Sequence, residues 1–140
     1  LVMRHWASDY LNKPWLIGGR GPDCYDCWGM VYCIYRDRYG MQLPSYPTVT
    51  SKNMLTVTKA ITSGAAESDW IRLTQPVDGC VVALSKNTKI LHHVGIYLDI
   101  DRGVLLHATD AGAVIAQSMH DLNRFGWRRI EYYKHKDYQP

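Results

Sequence analysis

The stretch GPDCYDCWGM, residues 21–30, sets two cysteines three apart between a Gly-Pro turn and an apolar run. Beyond it the pattern is helical: Cys27, Met30, Val31 and Ile34 recur at the i, i+3, i+4, i+7 spacing that lines one face of a helix. Asp26 stands where an N-cap carboxylate takes up free backbone N–H groups. Gly40 stands where a left-handed residue closes a helix, and the prolines of LPSYP (43–47) forbid its continuation. This grammar predicts a helix over roughly residues 27–39, with Cys27 in its first turn. Unpaired N–H groups and the macrodipole at that turn favour an anion, so the Cys27 thiol is expected to be shifted toward the nucleophilic thiolate. Cys24 precedes the helix and lacks that help.

Other uses of the cysteine pair fit less well. A structural zinc wants four ligands, and the adjacent His92-His93 would point to opposite faces of a strand. A thioredoxin-like dithiol follows a strand in a βαβ pattern, and no such strand is read here. Cys33 and Cys80 suit buried, inert positions. With only four cysteines in 140 residues, free thiols are expected and a disulfide scaffold is not.

Working outward, HWASDYLNKPWLIGG (5–19) suggests a short amphipathic helix near residues 3–11, ended by Pro14 and followed by a Gly18-Gly19 loop. Thr50 or Ser51 could cap a second helix carrying Met54, Leu55, Thr58 and Ile61. After Pro76 the runs are short and β-branched: GCVVALS, HHVGIYLDI, GVLLHAT, AVIAQS and RRIEYYK, separated by turns such as Asp101-Arg102-Gly103 and Asp110-Ala111-Gly112. Helices followed by consecutive strands predict an α+β fold with an antiparallel sheet, and the length predicts a single domain over residues 1–140.

A cysteine nucleophile needs a base, and the base an orienting partner. Strand alternation puts His93, Gly95 and Tyr97 on one sheet face and Val94, Ile96 and Leu98 on the other, the apolar core face. His107 lies in the next strand. Facing residues of an antiparallel hairpin have numbers that sum to a constant, and a sum near 200 or 202 sets His107 opposite His93 or Gly95. Either register brings the two imidazoles together on one face. The remaining histidines read as surface residues, with His92→Ala expected to be nearly silent.

The net charge of +3 is mild and spread along the chain, which does not nominate nucleic acid as a partner. No window holds the ~18 apolar residues of a membrane span, and LVMRHWASDY has neither an apolar signal core nor a small-residue cleavage site. The chain opens on Leu1, which leaves room for a preceding start residue, leader or domain.

YDCWGMV (25–31) resembles the Phe/Tyr-Asp-Cys-Ser/Trp-Gly-Leu-Val signature of the NlpC family of papain-like cysteine peptidases, and HVGIYL (93–98) followed by LLHAT (105–109) resembles its second and third catalytic blocks. DCWGMVYCIYRDRYGMQLPSY, VDGCVVAL and FGWRRIEYYKHK further resemble the branch found in bacteriophage tail-tip and tail-assembly proteins. The resemblance implies the papain-like NlpC fold, with N-terminal helices, the nucleophile helix among them, packed on an antiparallel sheet. It implies Cys27 as nucleophile, His93 as base and then acid, and His107 as the group orienting His93. It implies peptidoglycan as substrate, notably the bond between D-glutamate and the diamino acid, with no cofactor or metal, and other phage tail-tip proteins as partners. The place of action would be the virion tail tip working in the host cell wall or periplasm. A secreted or periplasmic bacterial amidase, and a silent structural tail subunit, are the alternatives. Asp26, Trp28 and Trp15, beside the nucleophile, are candidate substrate-binding residues. Trp15 stands where many members carry Tyr, Trp28 where Ser is common, and Cys80 where an acidic residue usually follows Asp-Gly.

Overall fold

In the computed structural model, which describes residues 5–45, 58–61, 69–87, 89–110 and 112–140, helix α1 runs Cys27–Arg38. Asp26 caps it as its position requires: the backbone is extended and the carboxylate accepts the Gly29 N–H at 2.6 Å. Arg36 and Arg38 lie in the last turn, where the dipole favours cations. Gly40 follows at φ +65°, the left-handed conformation that closes the helix.

Eight of the helix residues are buried, Trp28, Cys33 and Tyr35 together with Cys27, Gly29, Met30, Val31 and Ile34, so α1 is surrounded rather than one-sided. Met30, Val31 and Ile34 are fully buried, and burial of that kind contributes about 1.5–3 kcal/mol per side chain. Gly29 allows the loop before the helix to close on it. A Cβ there would collide with the Gly19 carbonyl oxygen, a clash with backbone that no rotamer relieves.

The sheet consists of β1 (Trp70–Leu73), β2 (Val81–Ser85), β3 (His93–Leu98), β4 (Val104–Ala108), β5 (Val114–Ser118) and β6 (Arg129–His135). It is a six-stranded antiparallel sheet in the order β1-β6-β2-β3-β4-β5. The five strand runs read from the sequence are β2 to β6. Strand β1 was not foreseen, because SDWIRL shows no alternation and the strand lies half-exposed at the sheet edge. Asp101 and Arg102 both take positive φ between β3 and β4, the primed-turn geometry that matches strand twist. One sheet face carries Val81, Ala83, Val94, Ile96, Leu98, Val104 and Leu106 and packs with α1. The other carries Val82, Leu84 and Leu105 under Leu122 and Trp127. Among the described residues no helix is long and apolar enough to cross a membrane.

Of the helix expected near residues 3–11, residues 3 and 4 lie outside the described residues, and a 3-10 turn over Trp6–Asp9 stands in the rest. Tertiary pairing competes for the chain beyond it. Asn12 N–H donates to the Val114 carbonyl at 2.9 Å, Val114 N–H to Lys13 at 2.9 Å and Trp15 N–H to Gly112 at 3.0 Å, so residues 12–15 extend along β5. Of the second helix, Thr50, Ser51, Met54 and Leu55 lie outside the described residues. Residues 58–61 are helical, with Thr58 and Ile61 buried.

Candidate active site

The sheet brings the two histidines into direct contact. The β3/β4 register pairs Ile96 with Leu106 and Tyr97 with Leu105, a sum of 202, which sets His107 across from Gly95. A Cβ on Gly95 would fall 2.9 Å from the His107 Cβ, so glycine is what lets the strands carry an imidazole on each side of it. His93 Nε2 lies 2.7 Å from His107 Nδ1, and His107 Nε2 lies 2.7 Å from Gln117 Oε1. Trp127 stacks flat on His93, with ring centroids 4.9 Å apart and planes at 16°. Lys86 reaches over that indole, its Nζ 5.1 Å from the ring centroid.

The bonding capacity of the rings decides their protonation. Gln117 Oε1 can only accept, so His107 Nε2 carries a hydrogen. Neutral His107 then offers Nδ1 as a lone pair, and His93 donates its Nε2–H to it. In neutral His93 this leaves Nδ1 unprotonated, a lone pair available as a base. Electrostatics keeps both rings neutral. Burial, followed by the charges of His107, His92 and Lys86, holds His93 well below the usual histidine range. Burial brings His107 down to about 4 despite the hydrogen bond it donates to Gln117.

Cys27 approaches the same strand from the helix side. Backbone N–H groups of Val94, Trp28 and Cys27 itself bear on its thiol and favour the thiolate, which sets the sulfur against the Val94 backbone at the start of β3. The expected low thiol pKa is nonetheless reversed. Burial first, then the Asp26 carboxylate, push Cys27 up to about 12. The residue is 6% exposed, and the dipole that was to stabilise a thiolate already faces the carboxylate of Asp26. Burial thus favours the neutral thiol at Cys27 and the neutral imidazole at His93.

Two of the candidate substrate-binding residues, Asp26 and Trp28, are enclosed and bonded by the fold. Asp26 is completely buried and its oxygens are occupied, by the Gly29 N–H, by the Gly18 N–H at 2.8 Å and by Arg20 Nη1 at 2.9 Å. Trp28 is also completely buried and donates its indole N–H to the Pro44 carbonyl at 2.8 Å, so it lines no open groove. Trp15 is partly buried against the core and bridges to Tyr25. His92 differs from expectation as well: it precedes the strand, accepts the Lys86 N–H at Nε2 and tilts against Trp127, on the same indole as His93. Cys24, Cys27, Cys33 and Cys80 are free thiols. Among the described residues no three His, Cys, Asp or Glu side chains cluster to hold a metal.

Two residues of the site escaped sequence reasoning. Gln117 had a usable signal: β4 and β5 pair with a sum of 222, and Leu105 opposite Gln117 shares its face with His107. The facing rule applied to the first hairpin finds Gln117 in the second. Trp127 follows the 3-10 turn Met119–Phe125, where no strand or helix period points it anywhere.

The NlpC/P60 family matches residues 12–129. Among solved structures, the chain is similar to the NlpC/p60 domain of the peptidoglycan hydrolase SagA, at 19% identity and a TM-score of 0.57 over 90% of this chain and 91% of that one. It is also similar to a lipoprotein-like protein of the NLP/P60 family from Staphylococcus aureus subsp. aureus Mu50, at 20% identity and a TM-score of 0.51. That match covers 89% of this chain but 38% of the staphylococcal protein. No curated protein matches the chain.

Proposed function

The chain belongs to the NlpC/P60 family of cysteine peptidases that hydrolyse peptidoglycan, and on that premise we propose that Cys27, His93 and His107 cleave an amide bond of the peptidoglycan stem peptide. One observation carries the assignment. The hydrogen-bonded series Gln117, His107, His93 leaves a lone pair on His93 Nδ1 at the start of β3, the segment whose Val94 N–H bears on the Cys27 thiol.

Because thiol and imidazole are both neutral at rest, the nucleophile is generated during attack. His93 Nδ1 takes the thiol proton as Cys27 Sγ bonds to the scissile carbonyl carbon. The oxyanion takes backbone N–H donation from Cys27 at the helix start. His93, now an imidazolium, gives that proton to the leaving amine nitrogen as the C–N bond breaks, and a thioester remains. It then removes a proton from water, which attacks the thioester, and the proton returns to the departing thiolate. Throughout, neutral His107 accepts the Nε2–H of His93, and Trp127 covers the imidazole and keeps water off it.

The scissile bond we propose is that between D-glutamate and the diamino acid. The setting we propose is a bacteriophage tail tip that opens the cell wall, supported by the tail-branch strings DCWGMVYCIYRDRYGMQLPSY, VDGCVVAL and FGWRRIEYYKHK. Purified sacculi incubated with the protein should release fragments whose masses end at D-glutamate and begin at the diamino acid, and Cys27→Ala should release none. Fragments cut elsewhere would move the bond; no fragments from the wild type would defeat the activity. Detection of the protein in purified phage tails tests the setting, and its absence from them rejects it.

A further inference from the structure

We propose that Gln117 is a positioning residue: its side-chain oxygen selects the Nε2–H tautomer of His107 and, through it, the tautomer of His93 that leaves Nδ1 unprotonated. The consequence for catalysis rests on the function proposed above; the tautomers themselves do not.

Two contacts of 2.7 Å each link Gln117, His107 and His93 and fix where the donors lie. A neutral imidazole has one N–H and one lone pair, so each ring that donates at one nitrogen must accept at the other. With the amide oxygen at His107 Nε2, both rings carry hydrogen at Nε2. Replace that acceptor by a group that cannot accept, and nothing ties the hydrogen to His107 Nε2. The opposite series becomes available, in which His107 donates from Nδ1 to His93 Nε2 and His93 carries its hydrogen at Nδ1. A base with that nitrogen protonated cannot take a proton from the thiol. Gln117 therefore acts three groups away from the sulfur without touching substrate. Its place is built by the fold: β5 sets it across from Leu105 on the imidazole face, one diagonal step from His107. It is an amide and so holds the acceptor role without a charge that would draw a proton onto His107. The other groups bearing on His93 are His92 and Lys86, both cationic when protonated, and neither can supply an acceptor to His107 Nε2.

The test uses nitrogen-15 NMR of the histidine rings in Cys27→Ala protein, with turnover measured in parallel in otherwise wild-type protein at pH about 8. Both His93 and His107 should show an unprotonated Nδ1 when Gln117 is present. Gln117→Met, close in size with no acceptor oxygen, should populate Nδ1–H on both rings and lower kcat by about 10- to 100-fold with KM little changed. Gln117→Glu restores an acceptor at the same reach and should return Nε2–H on His107 and part of the lost turnover. Unchanged tautomers in Gln117→Met, or a Glu variant no better than the Met variant in either readout, would overturn the inference. If wild-type protein cleaves no peptidoglycan, the proposed function fails, while the NMR spectra still decide the role of Gln117.

Discussion

Replacing Gly95 by Ala puts one methyl group into the tightest part of the imidazole face. The new Cβ would lie 2.7 Å from Leu105 Cδ1, 2.8 Å from the Leu106 carbonyl oxygen and 2.9 Å from His107 Cβ. Leu105 can swing its methyl aside, but a carbonyl oxygen and a Cβ move only with the backbone of β4. Overpacking of this kind costs about 1–3 kcal/mol, partly offset by the ~0.5–1 kcal/mol that Ala gains over Gly in the unfolded chain. At roughly 2.1 cal/mol/K per residue of unfolding entropy, a net loss of about 1–2 kcal/mol lowers Tm by about 3–7 °C. The larger effect falls on chemistry. A shift of β4 by ~0.5 Å stretches the 2.7 Å contact between His93 and His107 past a good hydrogen bond, and displacements of ~1 Å at a catalytic group cost about 100-fold in rate. A kcat fall of about tenfold or more is expected in protein that still melts cooperatively. Calorimetry and a steady-state assay on a stem-peptide substrate measure both. A Gly95→Ala protein with wild-type Tm and kcat would refute the close approach at this position.

The two histidines should separate in turnover: His93→Ala removes proton transfer and should lower kcat by at least about 1000-fold, whereas His107→Ala removes only orientation and should cost about 10- to 100-fold. Equal losses in steady-state kinetics would contradict the division of roles. Cys27, pushed up to about 12 and nearly inaccessible, should resist iodoacetamide at pH 6 to ~7.5, as followed by peptide mass spectrometry. Rapid stoichiometric labelling of Cys27 there would mean a preformed thiolate–imidazolium pair instead. His107 binds its proton near pH 4 when folded but at 6.5 when unfolded, so the unfolded state takes up more protons in that interval. Stability should therefore be intact above pH 6.5 and fall as pH drops toward 4, by about 3 kcal/mol from this residue alone, measurable in urea melts. A flat profile would place His107 in a solvated setting.

What could be read from residues alone was whatever depends on local spacing. Asp26 capping, Cys27 at the helix start, Gly40 at its end and the His93/His107 face follow from periods of 3.6 and 2 and from turn chemistry, and the α+β antiparallel architecture follows from the order of those elements. What escaped depends on distant parts of the chain. The helix expected up to residue 11 ends at Asp9, a 3-10 turn, because the following chain pairs with residues 112–114. Trp28 and Asp26 read as substrate-binding candidates because they flank the nucleophile, yet the loop at Gly18-Gly19-Arg20 and the Pro44 carbonyl enclose them. The Cys27 thiol goes the other way from expectation for the same reason. A helix terminus is a local feature, but the burial that outweighs it comes from the core closing around it. Gln117 is the intermediate case, hidden only until the β4/β5 register is written down.

The most direct test of the account is the intact mass of the protein quenched in acid during turnover of a stem peptide carrying the D-glutamyl–diamino acid bond. A wild-type species heavier by the acyl half of the substrate is expected, with the adduct mapped to Cys27 and lost in Cys27→Ala. Cleavage by Cys27→Ala at the wild-type rate, or an adduct on any other residue, would contradict it.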